Sequence, residues 1–294
     1  MASIRPRLGN IVIAESVSMK NHSSFYTGGN AEYYAEPRSI EECLNVLEIA
    51  YKKNLNVTVI GSGTHILVSE KGIPGLVICT SSIKGITIKG NLVEAAPGEP
   101  LDNIINQAID HNLIGLEELG GIPGTIGGAV SVNASSNGRS ISDVFFYADY
   151  LSFDGRYFRR PFYHDYFRKQ QSSFGIDGII VSIALQLNPS RASAEARRRK
   201  EKYVELMFIP PCRRFSGEIF KDPEGMSAES VIRRLDIKGR GKASFSDYQP
   251  NSIFTLPGCT SAEIHDLITE AEERAEVELG IRLERSLSVL GDFT

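Results

Sequence analysis

Cysteine is scarce in this chain, and the few present stand apart. Among 294 residues there are four, Cys43, Cys79, Cys212 and Cys259, and no two form a C-x-x-C pair. A zinc ribbon and a thioredoxin-like redox pair are therefore excluded, and four scattered residues fit reduced thiols better than a disulfide framework. The five histidines are dispersed and no H-E-x-x-H motif occurs, so no metal is expected. No stretch approaches the roughly 18 consecutive apolar residues that would suggest a membrane span. Met1 to Glu15 carries Arg5 and Arg7 without the apolar run of a secretory signal. Net charge is only −4, so no global attraction to nucleic acid or an anionic membrane is expected. These absences point to a cytoplasmic protein with neither nucleic-acid binding nor membrane insertion. Its 41% apolar and 23% charged residues are ordinary globular values, and the length allows two or three domains.

Glycine, in contrast, is concentrated. Gly120 to Gly138 has five glycines and Pro123 in its first nine positions. Such a run is expected to form neither a stable helix nor an ordinary strand, because glycine loses the most backbone entropy on ordering. Without Cβ atoms, its N–H groups are able to form a concave nest for an anion such as a pyrophosphate. A plain glycine-rich surface loop is the competing reading. A second glycine turn, Gly61-Ser62-Gly63-Thr64-His65-Ile66, follows the strand-like Val57 to Ile60. A Rossmann fingerprint is excluded there, since Ile66 replaces the third glycine and no amphipathic helix follows.

Elsewhere the patterning alternates. Ser39-x-x-Glu42 predicts a capped helix whose face is Ile40, Leu44, Leu47 and Tyr51. Short strands are expected near 66–69, 75–78, 86–88 and 92–96, then a helix over Leu101 to Ile109, and longer strands at Val144 to Phe153 and Ile179 to Leu187. Residues 191–202 predict a helix whose six basic residues form a solvated face. Beyond it come a helix over Ser227 to Leu235, a strand over Ser244 to Thr255, and a long helix capped by Thr260-x-x-Glu263. The fold class expected is α+β. The domains read as an N-terminal extension (1–20), a cofactor region (21–190, in two subdomains of about 21–80 and 81–190) and a C-terminal domain (200–294).

In their order, these motifs resemble the UDP-N-acetylenolpyruvoylglucosamine reductase family. The resemblance rests on Asn21 to Gly29, Gly61 to Val68, Gly115-Leu116-Glu117, Gly121 to Asn133, Phe220-Lys221-Asp222-Pro223 and Gly280 to Gly291. It implies a two-part FAD-binding region of the vanillyl-alcohol-oxidase type followed by a substrate domain. It also implies a reaction: NADPH reduces non-covalently bound FAD, and a UDP-sugar enolpyruvyl ether is reduced to UDP-N-acetylmuramate for peptidoglycan synthesis. By the same resemblance, FAD contacts fall on Gly61, Ser62, Gly63, Thr64, His65 and Ile66, and on Ile122, Pro123, Gly124, Thr125, Gly127 and Gly128. Lys221 and Asp222 fall to the substrate.

The catalytic positions depart from the family pattern. Glu218 stands where the family has its serine or cysteine proton donor, and Ser286 stands where it has a glutamate. Gln170 takes the place of an arginine, unless Arg168 fills that role. His65 replaces an asparagine, and Gln249 a histidine. An ordinary solvated glutamate, with a pKa of about 4.3, is an anion at neutral pH and a poor acid. One resolution is that Glu218 and Ser286 exchange roles. The alternative is a divergent FAD-binding paralogue that has lost this reaction or acts on another substrate.

Overall fold

The computed structural model describes residues 4–5, 11–168, 171–207 and 214–294. Gln170, Cys212 and the Pro210-Pro211 pair lie outside the described residues. The chain divides into two compact units. One comprises residues 1–15, 33–62 and 75–208, and the other residues 16–32, 63–74 and 209–294.

In the first unit, the helix Ile40–Lys52 starts at Ser39, whose side chain accepts from the Glu42 N–H. The Glu42 carboxylate reaches past the cap to the Arg38 N–H at 2.6 Å. The buried face is Cys43, Val46, Leu47 and Ala50, one step round from the predicted face. Leu44 is exposed and Tyr51 is 82% exposed. The narrow stripe containing Cys43 and Ala50 lets the helix lie close on Leu76 and Ile78, which a stripe containing Tyr51 would not. Val57–Ile60 runs parallel to the Leu76 to Cys79 portion of its neighbouring strand.

A five-stranded antiparallel sheet follows, in the order Tyr157–Pro161, Phe145–Ser152, Gly178–Gln186, Leu92–Ala95, Ile86–Lys89. Its core includes Ile104, Ile105 and Ala108 of the helix Leu101–Asp110, together with Ile126 and Val130. The helix Ser193–Leu206 does not present a wholly solvated basic face. Lys200 is buried and its Nζ meets Asp102 at 2.6 Å, and Arg199 meets the buried Glu117 at 2.8 Å. Acidic residues on Leu101–Asp110 and beside Gly115 thus turn part of a basic run into a docking face, a pairing that local charge patterning does not show.

The second unit gathers residues distant in sequence. Ser288–Leu290 pairs parallel with Ile66–Val68, and Phe220–Lys221 pairs antiparallel with Glu284–Arg285. The single strand expected over 244–255 is a hairpin of Ala243–Phe245 and Ile253–Thr255, with Arg214–Phe215 on its other edge. The helix Ser261–Leu279 carries the full capping box at Thr260 and Glu263, and ends at Gly280 in the left-handed region. Its face Ile264, Leu267, Ile268, Ala271 and Ala275 is fully buried, against Phe25, Leu67 and Val231 among others. No helix among the described residues is long and apolar enough to cross a membrane.

Candidate active site

The central glycine run is partly helical, against the sequence expectation. Ile126–Ser131 forms a short helix with Thr125 as its N-cap, whose side chain accepts from the Gly128 N–H. The Ile126 N–H donates to Glu99 O and the Gly127 N–H to Pro97 O, both at 2.9 Å. Tertiary hydrogen bonds supply what glycine propensity lacks. They also narrow the expected anion nest, since the Ile126, Gly127 and Gly128 amides are committed to protein acceptors. Among the described residues no protein acceptor takes the N–H of Gly124 or Thr125.

The other glycine turn reaches this run within the first unit. A Cβ on Gly61 would fall 2.6 Å from Thr125 Oγ1, so the two loops approach closely only because residue 61 is glycine. Gly61 O accepts from Cys79 Sγ and Ile60 O from Thr80 Oγ1. In the second unit, Gly63 O and Thr64 O accept from the backbone and side chain of Ser24, His65 O from the Ser288 N–H, and Ile66 O from Ser23 Oγ. The turn is thus anchored through its carbonyl oxygens. No protein acceptor among the described residues takes the N–H of Ser62, Gly63 or His65. Outward amides on a glycine turn held by its carbonyls suit an anionic cofactor. These features fit FAD, whose diphosphate main-chain N–H groups would take. They were legible as glycine spacing, whereas the anchoring serines, Ser23 and Ser24, were not.

The two candidate catalytic positions come together inside the second unit. Phe220 pairs with Arg285 and Lys221 with Glu284, and the Ser286 N–H donates to Ile219 O at 2.8 Å. Asn251, buried and missed in the sequence, clamps this strand. Its Oδ1 accepts from the Phe220 N–H at 3.0 Å and its Nδ2 donates to Phe220 O at 2.8 Å. Glu218 lies exposed on one side of Ile219, and Ser286 is half-buried. The imidazole of His65 stands beside both segments. Its Nε2 is 3.1 Å from Ser286 Oγ, and its Nδ1 is 3.5 Å from where a Cβ on Gly217 would sit. Desolvation pushes the His65 pKa down to about 4, opposed by a hydrogen bond to the Ser286 backbone. The ring is therefore neutral at physiological pH.

The remaining candidates are placed as follows. Lys221 Nζ lies 3.4 Å from Glu284 Oε2. Asp222 Oδ1 accepts from the Ala228 N–H at 2.8 Å, at the start of the helix Ala228–Leu235. Arg168 is exposed on a two-residue strand in the first unit. Its carbonyl accepts from Asn133 Nδ2 at 2.9 Å, and Asn133 Oδ1 accepts from the Ser142 N–H. The asparagine closing the glycine run thus braces the Arg168 hairpin. Among the described residues no group of three or more His, Cys, Asp or Glu could hold a metal ion.

Comparison with known proteins agrees with this layout. Residues 31–159 match the FAD binding domain model, and residues 210–290 match the model for UDP-N-acetylenolpyruvoylglucosamine reductase, C-terminal domain. The UDP-N-acetylenolpyruvoylglucosamine reductase of Prochlorococcus marinus (strain MIT 9313) is 31% identical over 290 residues, covering 94% of this chain and 92% of that protein. That of Synechococcus sp. (strain JA-3-3Ab) is 33% identical over 285 residues, covering 92% and 89%. The crystal structure of the reductase from Thermus caldophilus superposes with a TM-score of 0.79 at 24% identity, covering 99% of this chain and all of that one, which supports the α+β fold. The glycine turns, the Phe220–Arg285 pairing and likeness along nearly the whole length converge on one assignment: the chain belongs to the UDP-N-acetylenolpyruvoylglucosamine reductase family.

Proposed function

We propose that this protein is an FAD-dependent oxidoreductase that uses NADPH to reduce UDP-N-acetylglucosamine enolpyruvate to UDP-N-acetylmuramate, a cytoplasmic step of peptidoglycan precursor synthesis. The observation that carries the reading is full-length likeness to relatives that bear this reductase name. FAD held by these loops would supply, from NADPH, the hydride that the enolpyruvyl double bond takes up. The amides of Ser62, Gly63, His65, Gly124 and Thr125 are assigned to the cofactor, with Gly61, Thr64, Ile66, Ile122, Pro123, Gly127 and Gly128 shaping its loops. Residues 21–190 take the role of cofactor region and 200–294 that of substrate region. Lys221 and Asp222 are assigned to the sugar nucleotide, and Arg168 to the anionic end of the substrate.

Glu218 and Ser286 are the candidate proton donors. A second carboxylate beside an anionic enolpyruvyl group raises its binding cost, whereas a serine hydroxyl adds no charge.

The test is the visible spectrum of the purified protein under anaerobic conditions. The expected result is a flavin band that NADPH bleaches and the enolpyruvyl UDP-sugar restores. A band that NADPH bleaches but the sugar leaves bleached would overturn the substrate assignment in favour of a paralogue with another acceptor. No flavin band, even after reconstitution with FAD, would overturn the cofactor assignment.

A further inference from the structure

The imidazole of His65 is not directed away from the second unit toward solvent. It lies against Gly217 and ends on Ser286 Oγ. Its own backbone is fixed at the same place, since His65 O accepts from the Ser288 N–H at 3.2 Å. The residue it meets is equally constrained, because the Ser286 N–H is tied to Ile219 O. Two side chains separated by 221 positions in the sequence are therefore held face to face by main-chain bonds on both sides. This geometry sets a half-buried serine hydroxyl against the imidazole, one residue from the strand pair that carries Lys221 and Arg285.

We infer that His65 is the positioning residue for Ser286, and that the Ser286 hydroxyl delivers the proton in substrate reduction. The inference rests on the reductase reading above. In the step concerned, one carbon of the double bond receives a hydride and the adjacent carbon is left with an electron pair. That carbon forms a bond to the Ser286 proton, the O–H bond breaks, and its electron pair stays on Oγ. With the imidazole proton assigned to Nε2, His65, 3.1 Å away, stabilises the charge left on that oxygen, which then regains a proton from solvent. A preorganised donor aimed at developing charge is the arrangement that lowers such a barrier. The backbone N–H of His65 remains available to the cofactor, so one residue serves the site through two different groups.

The experiment compares the two half-reactions in the native flavoprotein, His65→Gln, Ser286→Ala and the double variant, by stopped-flow absorbance. Bleaching by NADPH and reoxidation by the enolpyruvyl UDP-sugar are timed separately. Ser286→Ala is expected to slow reoxidation by about 100-fold, at the low end of the usual range for a positioned acid. His65→Gln is expected to slow reoxidation about 10-fold more than it slows bleaching, and the double variant to be no slower than Ser286→Ala. A residue that merely supports the fold or the cofactor would slow both half-reactions alike. The inference is overturned if Ser286→Ala reoxidises at the native rate, if the two substitutions multiply in the double variant, or if His65→Gln slows both half-reactions equally. A native protein that bleaches with NADPH but ignores the sugar would instead overturn the reductase reading, and this inference with it. As a readout independent of turnover, the His65 ring nitrogen resonances are expected to move in Ser286→Ala, and unchanged resonances would remove the pairing itself.

Discussion

His65 Nε2 and Ser286 Oγ lie 3.1 Å apart, so two positions that depart separately from the family pattern are partners in space. The imidazole is desolvated and neutral, with its pKa pushed down to about 4. In the unfolded chain it returns to about 6.5. Between these values the unfolded state binds more protons than the folded state, so stability rises with pH across this window. Acidification from pH 7 to pH 4 is therefore expected to remove on the order of 3 kcal/mol through this residue. His65→Gln should flatten that part of the profile, as measured by urea denaturation at half-unit pH steps. An unchanged slope would mean that His65 titrates normally in the folded protein.

The glycine turn makes a steric prediction with an internal control. A Cβ on Gly63 would lie 1.8 Å from His22 O, and its φ of +72° already disfavours an L side chain. A backbone carbonyl gives way only with its chain, so Gly63→Ala is expected to cost more than about 2 kcal/mol. Gly138 has a similar φ of +80° but nothing within 4 Å. Gly138→Ala should cost only the left-handed backbone term, about 1 kcal/mol. Thermal denaturation of the two variants side by side checks this, and equal losses would contradict the crowding at residue 63.

Glu117 is a different kind of motif residue. In the sequence it reads as part of a family signature, yet the structure gives it a structural task. It is 1% exposed, Oε1 meets Arg199 at 2.8 Å, and Oε2 accepts from the Gly115 N–H at 2.6 Å. Arg199→Ala leaves that carboxylate buried without its cation. We expect a loss of about 2–3 kcal/mol, below the figure for a fully buried pair because the Arg199 side chain is 37% exposed. Glu117→Gln keeps an acceptor for Gly115 and should cost less. A double-mutant cycle between 117 and 199 measured by chemical denaturation should show coupling above about 0.5 kcal/mol. Additive losses would show that the pair contributes nothing.

These three sites show what local pattern carries and what it does not. The helix Ser261–Leu279 was readable to its caps, because a capping box, a regular apolar stripe and a terminal glycine all agree. The helix Ile40–Lys52 was readable in extent but not in facing, since burial depended on how closely it packs on Leu76 and Ile78. The helix at Ile126–Ser131 was hidden, because its stability comes from Glu99 O and Pro97 O, acceptors that propensity does not see. In the site, glycine spacing exposed the loops. The Asn251 clamp and the His65–Ser286 contact depend on strand pairings between distant segments, and nothing in the neighbouring sequence announces them.

The pairing of 65 with 286 also predicts how the two positions tolerate exchange. In the family pattern they carry asparagine and glutamate, and here they carry histidine and serine, so a longer side chain faces a shorter one in each case. Ser286→Glu alone places a carboxylate against the imidazole. An opposite charge at that distance favours the protonated ring, so the His65 pKa should rise, visible by NMR titration. His65→Asn alone shortens the reach to Ser286 and loses a hydrogen bond usually worth about 1 kcal/mol. The double variant His65→Asn/Ser286→Glu restores long against short. Its loss of stability is expected to fall below the sum of the single losses by at least about 0.5 kcal/mol, the coupling usual for residues in contact. Chemical denaturation of the four proteins at pH 7 decides the matter. Losses that add within experimental error would show that their contact carries no energy.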